Sequence, residues 1–286
     1  MRRTTLFRQL VEADEILLLP GVHDALSARL AEAAGFSALT CGGYAATASL
    51  LGAPDIAQLS MTEMADMYAR LADATTLPIL ADADTGYGNA INVARTVRSF
   101  ERAGVAALFI EDQVAPKRCG HFSGKEVIST EEAVGKIKAA VDARHDPDFL
   151  IMARTDAAAV HGFEAAVERA HRFAEAGADI LFVEAVTTAE EIRALPRRLG
   201  PPQLMNVVIG GRTPIFGAEE LGTLGYGLVL YANAALQGAV AGMQKALGVL
   251  KETRRIDEDP ALVVSFAERQ RLVRKPEWDA LEKRYT

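Results

Sequence analysis

The stretch Leu77–Gly88 reads LPILADADTGYG. It opens on an unbroken apolar run and closes on two aspartates and a glycine-bearing turn. A strand with one wet face alternates apolar and polar residues, whereas a strand covered on both faces, as in a parallel sheet, is apolar throughout. Seven other runs share this character: EILLLPG, FSALTCG, VAALFIED, DFLIMARTD, DILFVEA, QLMNVV and GLVLYANA. Between them lie segments with apolar spacing near 3.6, such as DALSARLAEAAG, AINVARTVRSFERAG, STEEAVGKIKAAVDAR and GFEAAVERAHRFAEAG. Several end in Ala-Gly, as expected where glycine follows a helix C-terminus. Eight strands alternating with helices over about 250 residues is the arithmetic of a (β/α)8 barrel. A doubly wound open sheet is the competing arrangement. From about Ile256 the pattern breaks, and PEWDALEKRY sets Trp278, Leu281 and Tyr285 on one helical face. The expected organisation is a barrel over residues 1–255 and a helical C-terminal arm over 256–286, packed on its own barrel or on another subunit.

Composition narrows the function. The chain has 286 residues, is 50% hydrophobic and 24% charged, and carries a net charge of −7. These fractions suit a soluble globular protein, and the negative balance argues against nucleic acid or an anionic membrane as the main partner. The two cysteines, Cys41 and Cys119, have neither disulfide-framework nor zinc spacing, which fits a reducing, cytoplasmic setting. The first residues lack a signal-peptide apolar core, and no run approaches the ~20 apolar residues of a membrane span.

The charges are placed unevenly. The third run ends in Asp82 and Asp84, the fourth in Glu111 and Asp112, the fifth in Arg154 and Asp156. The sixth ends in Glu184, the seventh in Asn206, the eighth in Tyr231 and Asn233. Strand C-termini are where barrel enzymes assemble their sites, so these groups are expected to converge at one mouth. In a strand, residues two apart face the same side, which aims Asp82 and Asp84 together; two adjacent carboxylates are commonly reconciled by a hard cation such as Mg2+. Glu111 and Asp55 are candidates for an outer shell. The fourth run leads into EDQVAPKRCGH, Glu111–His121, where Lys117 and Arg118 adjoin Cys119. Neighbouring cations lower a thiol's pKa and raise its reactivity, so Cys119 is a candidate functional thiol. Cys41 has the character of a structural residue, while Gly42 and Gly43 offer backbone N–H groups to an anion. His145, His161 and His171 are expected at the surface.

These residues resemble the isocitrate lyase/phosphoenolpyruvate mutase superfamily. The resemblance runs from LPGVHDALSARLAEAAGF through GAPD, DADTGYG and EDQVAPKRCGH to ARTDA, VEA and GGRTP. It implies a barrel with a swapped C-terminal helix, a homotetramer built as a dimer of dimers, and Mg2+ or Mn2+. By position it makes Asp82 and Asp84 metal-site residues with Glu111 in reach through water. Cys41, Gly42 and Gly43 would contact a 2-oxo acid, with Tyr44 nearby as a candidate base. Arg154 and the backbone around Gly120 would meet developing negative charge, and Glu184, Asn206 and Lys117 would hold substrate. Cys119 would be the general acid on a mobile lid, and His121 and Glu184 would organise that lid for catalysis. KRCGH favours a carbon–carbon lyase over a phosphonate mutase, and GKEV after CGHFS looks like the branch of 2,3-dimethylmalate lyase and petal death protein. Methylisocitrate lyases place an arginine where this chain has Gln237. Oxaloacetate hydrolases carry a serine at Ala232, and relatives tend to have a glutamate at Ile209. The expectation is a lyase for a substituted malate, a small dicarboxylate. Methylisocitrate cleavage, oxaloacetate decarboxylation or hydrolysis, phosphonopyruvate-type chemistry and a catalytically silent 2-oxo-acid sensor are the alternatives.

Overall fold

The computed structural model describes residues 1–117, 124–211 and 213–286. All eight apolar runs are strands: β1 (Leu17–Pro20), β2 (Leu39–Cys41), β3 (Ile79–Asp82), β4 (Ala107–Glu111), β5 (Leu150–Thr155), β6 (Ile180–Val183), β7 (Leu204–Asn206) and β8 (Leu228–Tyr231). Every pairing is parallel. β2 to β6 form one five-stranded arc in chain order, and β7–β8–β1 form the other. Bridges Gly21↔Thr40 and Leu181↔Gln203 join the arcs at both seams and close the ring. The barrel expectation holds, and the open sheet is excluded.

The period of two in each strand sorts side chains between two cores. Leu17, Leu19, Leu80, Phe109, Leu150, Met152, Ile180, Phe182, Leu204, Leu228 and Leu230 fill the barrel. Phe7 and Val11 of α1 (Arg3–Val11) join this inner cluster. The residues of opposite parity, such as Ile79, Ala81, Leu108, Ile110, Ile151 and Ala153, pack outward against the helices. Among these are α2 (Ala25–Ala33), α3 (Gly43–Leu51), α4 (Met61–Ala74), α5 (Ala90–Arg102), α6 (Thr130–Ala143), α7 (Ala157–His161) and α8 (Phe163–Glu175). Several start on a side-chain cap; Ser60 accepts from Glu63 N–H, and Asn89 from Ile91 and Asn92, satisfying donors that the first turn leaves open.

One side of the barrel is bare. After α9 (Ala189–Arg198) and α10 (Ala218–Leu224), β8 leads into α11 (Ala234–Thr253), a 20-residue helix with no buried residue. Leu18, outward-facing on β1 between buried neighbours, is 36% exposed, and Leu26 and Leu30 of α2 are exposed too. The chain ends in α12 (Phe266–Leu272) and α13 (Lys275–Tyr285); Trp278, Leu281 and Tyr285 of α13 are exposed. No helix among the described residues is long and apolar enough to cross a membrane.

Candidate active site

Strand parity carries past the inner core to the mouth. Two residues beyond Leu80, Phe109, Met152, Phe182 and Leu204 stand Asp82, Glu111, Arg154, Glu184 and Asn206. The layer that would be apolar lower down is here charged or amide-bearing. All five line one cavity of about 520 Å3, together with Gly42, Gly43, Tyr44, Asp55 and Lys117. The opposite wall is largely apolar: Val208, Leu230, Ala232, Leu236, Val240 and Ala241, edged by Gln237 and Gln244.

Each polar group is held by a specific contact. Tyr68 on α4, fully buried, donates from its hydroxyl to Cys41 O at 2.6 Å and accepts Asp82 N–H at 2.6 Å. That stitches the tops of β2 and β3 and fixes Asp82. The Asp82 carboxylate then accepts Gly43 N–H at 2.8 Å and Asp84 N–H at 2.9 Å. Gly43 is the first residue of α3, so the partial positive charge of the helix N-terminus also faces this carboxylate. A Cβ at Gly43 would lie 3.0 Å from Lys117 Nζ, 3.2 Å from Asp55 Oδ2 and 3.3 Å from Asp84 Oδ1. Only glycine leaves that space open.

Lys117 is buried with its ammonium 2.7 Å from both Asp55 Oδ2 and Asp84 Oδ1. Burial alone would lower its pKa, but Asp84, Asp82, Glu111 and Asp55 outweigh that and raise it, so it stays charged. Burial pushes Asp84 up to about 7, with Asp82 adding to the rise and Lys117 opposing it. Across the mouth, Arg154 and Glu111 are register partners on β5 and β4, and Arg154 Nη1 lies 3.1 Å from Glu111 Oε2. Burial raises Glu111 well above the carboxylate range, while Arg154 opposes the rise. Arg154 itself is raised: burial works against its charge, and Asp156, Glu111 and Glu184 more than compensate. Asn206 Nδ2 donates to Glu184 Oε2 at 3.3 Å.

The donor set suits a hard divalent cation. Asp82, Asp84 and Glu111 supply carboxylate oxygens, and Glu111 Oε1 is buried with no hydrogen-bond partner among the described residues. Those residues do not close into a ready cage of three acidic, histidine or cysteine ligands. Mg2+ needs none, since it is commonly held by one or two carboxylates and keeps several waters.

Several expectations change in detail. Asp84 does not share a strand face with Asp82, because β3 ends at Asp82 and Asp84 turns back with φ of 47°. The carboxylates are neighbours through that left-handed turn. Cys41 is corrected as a substrate contact. It has the outward parity of β2, is fully buried in the layer between strands and helices, and does not line the cavity. Asp55 is engaged by Lys117, a pairing across 62 residues that no periodicity announces. Tyr44 lines the cavity and is 38% exposed. Asp112 and Asp156 lie outside the cavity wall; Asp112 accepts from Thr155 Oγ1 at 2.6 Å and from Asp156 N–H at 2.9 Å. His145, His161 and His171 are at the surface. Cys119, Gly120 and His121 lie outside the described residues.

A closed parallel barrel with acids and cations gathered at the C-terminal mouth is the build of a barrel enzyme acting on small anions. The sequence matches the family described as Phosphoenolpyruvate phosphomutase over residues 7–250. The chain belongs to that family, within the isocitrate lyase/phosphoenolpyruvate mutase superfamily. It is 44% identical over 268 residues to 2,3-dimethylmalate lyase of Eubacterium barkeri, covering 94% of this chain and 93% of that protein. It is 46% identical over 242 residues to 2-methylisocitrate lyase of Shewanella oneidensis, covering 83% of each. A crystal structure of a 2,3-dimethylmalate lyase superposes with a TM-score of 0.94 at 37% identity, covering 100% of this chain and 96% of that one.

Proposed function

We propose that this protein is a Mg2+-dependent carbon–carbon lyase that cleaves a 2,3-dimethylmalate-like 2-hydroxy dicarboxylate to a 2-oxo acid and a carboxylate. The observation that carries the reading is the two-sided cavity: carboxylates and cations on one wall, aliphatic side chains on the other. The only cations among the described lining residues, Lys117 and Arg154, each already face two carboxylates. Among the described lining residues a third substrate carboxylate would meet Gln237 and apolar carbon instead, and burying an anion without a partner costs several kcal/mol. A methyl branch meets that wall at no such cost.

Asp82, Asp84 and Glu111 would hold the metal, which when bound would polarise the oxygens of the 2-hydroxy acid. The chain's own groups would do the rest. Backbone N–H groups at the start of α3 and the Asn206 amide orient the substrate. Tyr44 or a site carboxylate takes the 2-hydroxyl proton, the C2–C3 bond breaks, and its electron pair passes to the departing enolate. Arg154 faces that charge, and Cys119 returns a proton to C3. The products from 2,3-dimethylmalate are pyruvate and propionate, which balance the substrate's atoms.

Pyruvate release from 2,3-dimethylmalate and from 2-methylisocitrate, each with Mg2+, is the test. The first is expected to exceed the second by at least about a hundredfold in kcat/KM, since several kcal/mol correspond to two or more decades. EDTA should abolish turnover and added Mg2+ restore it, while Mg2+ alone raises the melting temperature of the metal-free protein. Equal turnover of the two substrates would overturn the substrate reading.

The bare face of the barrel supports a homotetramer in which α11 crosses between subunits. Met243 and Leu247 of α11 are 54% and 63% exposed, and Leu18, Leu26 and Leu30 are the apolar surface they could cover. Contiguous exposed apolar residues of this kind mark interfaces. Leu247→Asp is expected to shift the mass seen by light scattering from about four chains toward smaller species. A wild-type monomer would refute the arrangement.

A further inference from the structure

Lys125 is a half-buried residue outside the cavity lining. Its side chain is 3% exposed, and its ammonium lies 2.6 Å from Asp156 Oδ1. Asp156, fully buried, grips the edge of the Arg154 guanidinium with two bonds, Nε to Oδ2 at 2.9 Å and Nη2 to Oδ1 at 3.1 Å. The remaining nitrogen of the fork, Nη1, reaches Glu111. The Phe182 ring lies 5.1 Å below the guanidinium carbon. Asp156 is itself pinned through its backbone N–H to Asp112, which in turn meets Arg169 Nη1 at 3.2 Å. Arg154 is thus held in one plane at the mouth.

That hold carries an electrostatic difficulty. The Asp156 carboxylate that grips the guanidinium offsets the charge that Arg154 would offer an incoming dicarboxylate. Lys125 supplies that carboxylate with a second buried positive charge, so that Asp156 stands between two cations. We propose that Lys125 is a positioning residue for the reaction: it balances Asp156, so that Asp156 can aim Arg154 without cancelling the charge that Arg154 offers the substrate. This rests on the reading of Arg154 as the group facing the substrate's developing charge. The balance is visible in Asp156, which burial would push up but which Arg154 and Lys125 together hold below the usual carboxylate range.

The test is a set of variants assayed with 2,3-dimethylmalate and Mg2+, and by calorimetric titration with oxalate. Lys125→Met is expected to lower kcat by about 10- to 100-fold, the usual effect of removing a partner one layer behind the reacting groups, and to weaken oxalate. Lys125→Arg should recover most of the loss. In a cycle with Asp156→Asn, the double variant should be no worse than Asp156→Asn alone, because the charge that Lys125 balances is gone. Wild-type kinetics in Lys125→Met, or losses that multiply in the double variant, would overturn the role. A merely structural lysine would lower the melting temperature without a kcat change that arginine rescues. If Lys125→Met does not fold, Lys125→Gln takes its place in the cycle. If the wild type fails to cleave 2,3-dimethylmalate, the substrate reading falls, and oxalate affinity across the same variants still decides on Lys125.

Discussion

Cys119→Ala is expected to lower kcat by about a hundred- to ten-thousandfold, the range for losing a positioned general acid, while oxalate still binds. The expectation follows from the reaction's proton balance. Cleavage of C2–C3 leaves an enolate that must be protonated at carbon, a step for which Lys117, Arg154 and Cys41 are poorly suited. Lys117 is locked between Asp55 and Asp84, Arg154 cannot give up a proton at neutral pH, and Cys41 is sealed from the cavity with burial raising its thiol far above neutrality. Cys119 stands two positions after Lys117, in a sequence rich in neighbouring cations. Steady-state rates and oxalate titration on the same preparation separate chemistry from binding. A variant as fast as wild type would remove the thiol from the mechanism.

Arg154→Met should damage two properties at once. Glu111 and Asp156 would remain in the interior without their shared cation, and breaking a buried pair from one side typically costs about 3–5 kcal/mol. Urea unfolding is expected to register that loss. Turnover should fall by about 10²- to 10³-fold, as when a donor aimed at developing charge is deleted. Arg154→Lys distinguishes the two effects, since it keeps the charge but not the two-pronged grip of Asp156. It should recover more stability than activity. Unchanged unfolding and full activity in Arg154→Met would contradict the placement of Arg154 at the centre of the network.

How much of this was legible beforehand follows from parity. Runs apolar on both faces marked all eight strands, and their polar ends marked the mouth, because a residue's facing in a strand is fixed by counting. Asp82, Glu111, Arg154, Glu184 and Asn206 all lie on the inward count. The same count, applied to Cys41, turns it away from the cavity and agrees with its structural character; the substrate contact was implied by the family resemblance alone. Asp84 was placed near Asp82 for the wrong reason, since a left-handed turn, not strand geometry, brings it there. The pairs Lys117–Asp55 and Lys125–Asp156 were out of reach. Each joins a loop lysine to an acid on another segment, and nothing periodic ties such residues together. A buried lysine leaves no mark in a sequence until its partner is known.

The alternating strand pattern has a wider corollary. Foundation and chemistry are interleaved letter by letter, yet they occupy different storeys. The lower tiers, with Phe7 set in among them, hold the architecture upright, while the topmost inward tier, with Phe109, Phe182 and Leu230 just beneath it, faces the cavity. Descendants of such a scaffold can therefore exchange rim residues such as Val208, Ala232 or Gln237, and with them the compound consumed, while the masonry beneath goes on bearing the same weight.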